Sequence, residues 1–250
     1  NCIPDLNCLD AGTQCFPRYY YEPSDEKQQT IFSEVIDGYV RHDAITDDIL
    51  DEYRAKYGQQ ITKDQIFYYV YGLLHSKDYR ETFAADLKKS LPRIPLVESR
   101  LDFTAFYKAG EALADLHLNY ESVTPYEGVE VTGLEKGNFF VDKMRYGKVA
   151  DATKSKLLED KSTIHYNNSI TITGIPLEAY EYVVNGRSAL DWLVERYRVT
   201  VDKDSGLIND PNEWAKEHNE PRYILDLILR IITVSLKTIK IINNLPSLNF

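Results

Sequence analysis

Cysteine is scarce in this chain and poorly placed for chemistry. The 250 residues contain three, Cys2, Cys8 and Cys15, all within the first fifteen positions. None is spaced as CxxC, and no nearby histidine completes a zinc set. An odd, clustered count fits a reducing cytosol better than a disulfide scaffold. A secretory leader is missing too, since Asn1 opens a polar stretch without a basic region or an apolar core. Methionine is scarcer still: Met144 stands alone and none opens the chain, which therefore reads as a piece of a longer polypeptide or one lacking its first residues. The longest apolar stretch, Ile224 to Ile242, is broken by Asp226, Arg230, Lys237 and Lys240, so a buried helix is expected there, not a membrane span. No GxxxxGK[ST], GxGxxG or GxSxG string occurs. The five histidines, His42, His75, His117, His165 and His218, show no HxxxH or HxH spacing.

What remains is an ordinary globular composition, 43% hydrophobic and 27% charged. A chain of this length buries about 70–75% of its unfolded surface, enough for a substantial core. The net charge of -10 argues against gripping a polyanion with the whole surface. That charge is uneven. Tyr21 to Asp64 holds eleven acids against five bases, whereas Lys136 to Lys161 holds seven bases against four acids. Contact with a polyanion would be confined to one face, with the acidic part turned toward the rest of a larger protein.

The periodicity predicts an α+β chain: a helical scaffold, a central inserted antiparallel β region, and a long C-terminal helix. An extended lead-in occupies 1–24, with helical parts at 25–121 and 177–250 around a β part at 122–176, all within one domain. Thr46 is placed to cap a helix through Tyr57, stopped by Gly58, and Thr62 to cap a second through Leu74. A third is expected from Lys77 to Leu91, closed by Pro92 and Pro95, and a fourth from Leu101 to Tyr120 with one apolar stripe. Val129–Thr132, Phe139–Arg145, Thr163–Tyr166 and Ile170–Thr173 read as strands. Ala189–Tyr197 and a long helix from Pro221 toward Asn243 follow.

Several motifs fall short. Asp5, Asp25 and Lys27 imitate a metal-dependent nuclease signature, but the segment around Asp25 reads as a solvated turn. Asp202, Asp204, Asp210 and Glu213 fall at positions one, three, nine and twelve of an EF-hand loop, yet Gly206 is misplaced and Pro211 is foreign, so a turn before the Trp214 helix is expected. His117, on the apolar stripe, reads as a satisfied core residue. Asn167-Asn168-Ser169 is a glycosylation sequon with no secretion signal to use it. Tyr68, Tyr69 and Tyr71 lie on one helix and read as core and rim. In the basic β region, Lys143, Arg145, Lys148, Lys154 and Lys156 can neutralise phosphates, and His165, Tyr166, Asn167 and Asn168 can reach base edges. By composition alone the plainer account of that segment is a solvated loop.

The order of longer strings says more. FPRYYYE at Phe16, QIFYYVYGLLHSKDYRETFAADLKKSLPRIPL from Gln65, AGEALADLHLNYE from Ala109 and ITITGIP from Ile170 are followed by YEYVVNGRSALDWLVERY from Tyr180, SGLINDPNEW from Ser205 and YILDLILRIITVSLKTIKII from Tyr223. Together they resemble the C-terminal specificity region of single-polypeptide, type ISP restriction-modification enzymes, over nearly the whole chain. The resemblance implies a non-catalytic, cytoplasmic target-recognition domain of a large bacterial protein that also carries a nuclease, a helicase-like translocase and an adenine methyltransferase. Such a domain binds double-stranded DNA, positions the methyltransferase and licenses translocation and cleavage. It implies no cofactor in this fragment, with S-adenosylmethionine, ATP and magnesium serving the upstream domains. The alternative is a structural module docking those methyltransferase and helicase-like domains, supported by the acidic first third.

The residues that would contact DNA follow from physical chemistry. Arg93, between Pro92 and Pro95, sits on a loop stiff enough to present a guanidinium with little entropy loss. Arg187 precedes the Ser188 cap, at a helix N-terminus that favours phosphate. With Lys143, Arg145 and Lys148 they are expected to position the duplex, while Asn167 and Asn168 are candidate base readers.

Overall fold

The computed structural model describes residues 16–24, 35–150 and 157–248. The cysteines, Asp5, Asp25, Lys27, Lys154 and Lys156 lie outside them. The architecture is α+β, and the chain divides into two compact units, one holding residues up to Glu111 with the segment from Leu245, the other Ala112–Asn244.

The first unit opens on strand β1 (Tyr19–Pro23), followed by β2 (Val35–Ile36) and β3 (Tyr39–Asp43), in the antiparallel order β1-β3-β2. The lead-in is thus extended, but as part of a sheet the sequence reading did not foresee. Between β2 and β3, Asp37 and Gly38 both take positive φ, 50° and 83°, the two-residue turn that matches strand twist. Helix α1 (Asp47–Tyr57) starts after Thr46 and stops at Gly58, whose φ is 109°. The Thr46 hydroxyl makes no capping bond. Thr62 does: with Gln65 it forms a reciprocal box at the start of α2 (Lys63–His75).

Helix α3 (Lys77–Thr82) is shorter than its sequence suggests. Beyond Thr82 the amides alternate between acceptors three and four residues back, as Asp86 and Leu87 both do to Phe83. The Ser90 hydroxyl competes for the Asp86 carbonyl. Regular helix is lost before Pro92 is reached. Helix α4 (Arg100–Leu118) then crosses α2 backbone to backbone: a Cβ on Gly110 would lie 1.8 Å from the Tyr68 carbonyl oxygen, and one on Gly72 2.2 Å from that of Phe106. The core around this crossing is aromatic, with Tyr53, Tyr57, Tyr69, Phe103 and Phe106 at its centre.

The second unit is built on β4 (Glu130–Thr132), β5 (Arg145–Val149), β6 (Leu158–His165) and β7 (Thr171–Thr173), antiparallel in the order β4-β7-β6-β5. Away from an irregularity between β5 and β6, residues alternate across the sheet. Val131, Ile172, Ile164 and Tyr146 are paired across the strands and face the core, while Thr132, Thr171, His165 and Arg145 form the adjoining outer row. Phe139–Val141 is not a strand, contrary to its β-rich composition. Its backbone is satisfied by side chains: Asn212 bonds both the N–H and the carbonyl of Val141, Tyr166 donates to Phe139 O, and Asn167 to Phe140 O.

Next come the hairpin β8 (Val183–Val184) and β9 (Arg187–Ser188), turned by Asn185-Gly186, and α5 (Ala189–Arg196), capped by the Ser188 hydroxyl. The hairpin β10 (Thr200–Val201) and β11 (Ile208–Asn209) and the short α6 (Glu213–Glu217) lead to α7 (Tyr223–Asn243). Pro221 lies just ahead of α7 and not within its first turn, because Arg222 occupies the N-cap position. Ile224, Leu225, Ile228, Leu229 and Ile232 of α7 pack into the same core as the inner row of the sheet. Among the described residues no helix is long and apolar enough to cross a membrane.

Candidate nucleic-acid interface

Four of the seven sequence-predicted residues meet in one place. Lys143, Arg145 and Lys148, along β5 and just before it, line a cleft of about 610 Å³ whose other wall is Arg187 of β9 together with Asp191, Val194 and Glu195 of α5. Lys161 and Arg198 join them. A backbone bridge between Lys143 and Arg198 closes one side.

An irregularity in the β5–β6 ladder shapes this cleft. Tyr146 pairs with Ile164, but the next residue, Gly147, pairs with Asp160, so Lys161, Ser162 and Thr163 bulge out of register. Asp160 stabilises the bulge by accepting from the Ser162 amide and hydroxyl and the Thr163 hydroxyl. Glycine is required opposite, since a Cβ on Gly147 would lie 2.9 Å from Thr163 Cβ. The bulge aims Lys161 at Asp191, which its ammonium bonds at 2.8 and 3.0 Å while the Tyr146 hydroxyl donates at 2.7 Å. The ammonium also lies 5.4 Å from the Tyr146 ring centroid and 5.1 Å from that of Tyr180. Burial would raise the Asp191 pKa, but hydrogen bonds from Lys161, Tyr146 and Ser188 outweigh it and hold the carboxyl below its ordinary value. Asp191 is therefore an anion that joins α5 to the sheet.

Charge within the cleft is only partly compensated. Lys161 is paired with Asp191 and Arg187 with Glu195, the Arg187 guanidinium also lying over Trp192. Lys143, Arg145, Lys148 and Arg198 have no carboxylate partner at ion-pair distance among the described residues. Glu159, opposite Lys148 across the β5–β6 ladder, also lines the cleft, so six cations face three carboxylates there. The net positive charge, with Arg145 and Lys148 on the edge strand and Lys143 and Arg198 bridged beside it, makes an anion site.

The other three predicted residues lie elsewhere. Arg93 belongs to the first unit, exposed on a loop tied down by tyrosines: Tyr79 donates to Arg93 O, Tyr69 to Pro95 O and Tyr57 to Val97 O. Asn167 uses its whole amide internally, donating to Asn138 O and Phe140 O and accepting from the Ser169 and Ile170 amides. Asn168 is exposed in the β6–β7 turn. Tyr166 is buried, with its hydroxyl on Phe139 O.

Within the described residues the near-miss motifs resolve as turns and core. Asp202 accepts from the Asp204 and Ser205 amides, and Asp210 from Asn212 and Lys216, so two of the four EF-hand-like acids are occupied locally. Among the described residues no group of three His, Cys, Asp or Glu could hold a metal. His117 bonds the Thr238 hydroxyl at 2.9 Å and stacks on Tyr182. Lys161 counted only toward a local charge in the sequence, and Arg198 carried no signal at all, since the bulge and the Lys143 bridge bring them in.

The chain is similar to the ATP-dependent Type ISP restriction-modification enzyme LlaBIII bound to DNA, at 39% identity over 93% of this chain with a TM-score of 0.73. It is similar to a nuclease-deletion mutant of the Type ISP enzyme LlaGI in complex with a DNA substrate mimic, at 45% identity over 76% and a TM-score of 0.63. A DrdV–DNA complex matches at 30% identity over 88%, with a TM-score of 0.69. The chain spans 14%, 17% and 22% of those three chains respectively. No curated protein matches it. The description "Type ISP C-terminal specificity domain" matches residues 1–227, and the chain belongs to that family.

Proposed function

We propose that this chain recognises a specific sequence in double-stranded DNA and holds the duplex backbone in the basic cleft between β5 and α5. The observation that carries this reading is the convergence of Lys143, Arg145, Lys148 and Arg198, without carboxylate partners among the described residues, in a chain with a net charge of -10. The relatives seen with DNA support it. Within a restriction-modification enzyme, the domain would set the methyltransferase over one adenine and license translocation and cleavage at an unmodified site. S-adenosylmethionine, ATP and magnesium would serve the methyltransferase and helicase-like parts.

Phosphate neutralisation releases counterions, so log affinity falls with log salt at a slope of about 0.9 per phosphate contacted. Replacing Lys143, Arg145, Lys148 and Arg198 with alanine in the full-length protein should flatten that slope by about 3 and weaken binding. Fluorescence anisotropy across a salt series measures both. Unchanged slope and affinity in the fourfold variant would remove the cleft from the DNA footprint.

A further inference from the structure

The outer face of the second unit's sheet carries a row of side chains of which only Arg145 also lines the cleft. Cross-strand pairing places Arg145 opposite His165, His165 opposite Thr171, and Thr171 opposite Thr132, one residue from each of the four strands. All are at least partly exposed. The solvated face of an antiparallel sheet is ordinarily mixed in charge, yet this row holds no carboxylate. The acids on the same face stand off it: Glu130 lies in the adjoining row, and Asp160 is occupied by Ser162 and Thr163. His165 is fixed by a 3.2 Å bond between its Nδ1 and the Thr171 hydroxyl, and among the described residues its Nε2 has no partner.

Arg145 belongs both to this row and to the cleft. A duplex whose phosphates enter the cleft therefore brings its adjacent groove to the row. Strands lie about 4.8 Å apart, so Arg145 to Thr171 spans about 10 Å. The major groove is about 12 Å wide and admits a two-stranded ribbon. Three partners fit within it, and Thr132 falls at the groove wall. The chemistry of the three also matches base edges. An arginine fork fits guanine O6 and N7, the His165 Nε2 donates to or accepts from a base edge according to its tautomer, a threonine hydroxyl bonds donor or acceptor edges, and its methyl meets the thymine methyl.

We infer that Arg145, His165 and Thr171 are the base-reading residues of this domain, entering the major groove, while the cleft holds the backbone. The inference rests on the DNA reading above and assigns its specificity determinants. It moves readout from the β6–β7 turn, where Asn167 is fully occupied, to the strands beside it.

The test is selection by the full-length protein from a pool of duplexes with a randomised centre, followed by sequencing and a salt series. Wild type enriches one consensus. His165→Ala and Thr171→Val each relax it at adjacent base pairs by about tenfold, with the salt slope unchanged. Thr171→Ser keeps the hydroxyl and retains the preference there. Arg145→Lys keeps the charge and the slope but loses the preference for guanine. A consensus that survives intact in His165→Ala and Thr171→Val overturns the assignment, as does a uniform loss of affinity with the consensus unchanged. If wild type enriches no consensus at all, the recognition reading falls and this one with it. An intact consensus in the row variants, alongside a flattened slope in the fourfold cleft variant, overturns only the row.

Discussion

Rings fill the first unit, and branched aliphatic chains fill the second. Tyr53, Tyr57, Tyr69, Phe103 and Phe106 centre one core, whereas Ile164, Ile170, Ile172, Leu225, Ile228 and Ile232 dominate the other. The consequence lies in how each unit ties down backbone that no ladder reaches. In the first, the core tyrosines reach out through their hydroxyls to hold the loop from Arg93 to Val97. In the second, amide side chains do most of this, Asn212 on Val141 and Asn167 on Asn138 and Phe140, with the Tyr166 hydroxyl on Phe139 O beside them. Cations divide in the same way. Arg18 is paired with Asp64 and Lys63 with Asp43 and Asp47, but the cleft of the second unit gathers cations and leaves four of them without a carboxylate among the described residues. Both units hold themselves together with ion pairs, and the second in addition leaves cations available to a ligand.

The sharpest way to break this comparison is to remove a ring from the first core. Phe103 is fully buried and stacks on Tyr57 at 4.6 Å, so Phe103→Ala should cost about 3–5 kcal/mol through lost transfer energy and the cavity left behind. Chemical denaturation reads it directly. A cost near that of an exposed substitution would mean that the aromatic cluster does not support the unit.

Tyr69→Phe isolates the second role of the rings. The ring stays, but the Pro95 carbonyl and the Val97 amide lose their partner. Burial pushes the Tyr69 hydroxyl up to about 12, so it stays protonated and able to donate throughout the neutral range. The expected cost is about 1–3 kcal/mol, the desolvation penalty of the groups left unpaired. Hydrogen exchange should locate the loss at Val97. Faster exchange spread evenly over the unit would contradict the idea of a local tie.

How much of this was legible in the sequence depends on the range of the interaction. The Thr62–Gln65 box, the Ser188 cap and the Gly58 stop are local, and the helices they bound appeared where expected. The Asp37-Gly38 hairpin was equally local, with Val35-Ile36 before it and Tyr39-Val40 after, so the signal was present although the strands were not foreseen. Phe139–Val141 was beyond reach, because Asn212, 71 residues on, removes its backbone from any ladder. The cleft divides likewise. The basic run from Lys143 to Lys148 shows in the charge count and Arg187 in its position before a helix cap, but a register slip delivers Lys161 and a single bridge delivers Arg198.

The smallest effect separates the units by pH. In the first, burial lowers the pKa of His75, and Arg80 adds to this, while the bond from the ring to Tyr71 O opposes it only in part. The folded unit therefore binds this proton more weakly than the unfolded chain does. Stability contributed at His75 is intact above about pH 6.5 and is lost as pH falls from there through the lowered folded value. In the second unit the comparable group is Asp191, also lowered, whose contribution is intact above about pH 4 and is lost only as pH falls below that. Between about pH 6.5 and pH 4 the amides of α2 should thus lose protection while those of α5 keep it. His75→Gln should flatten the α2 profile in that window and leave α5 unmoved. Parallel loss in both helices, persisting in His75→Gln, would assign the pH response to something the two units share.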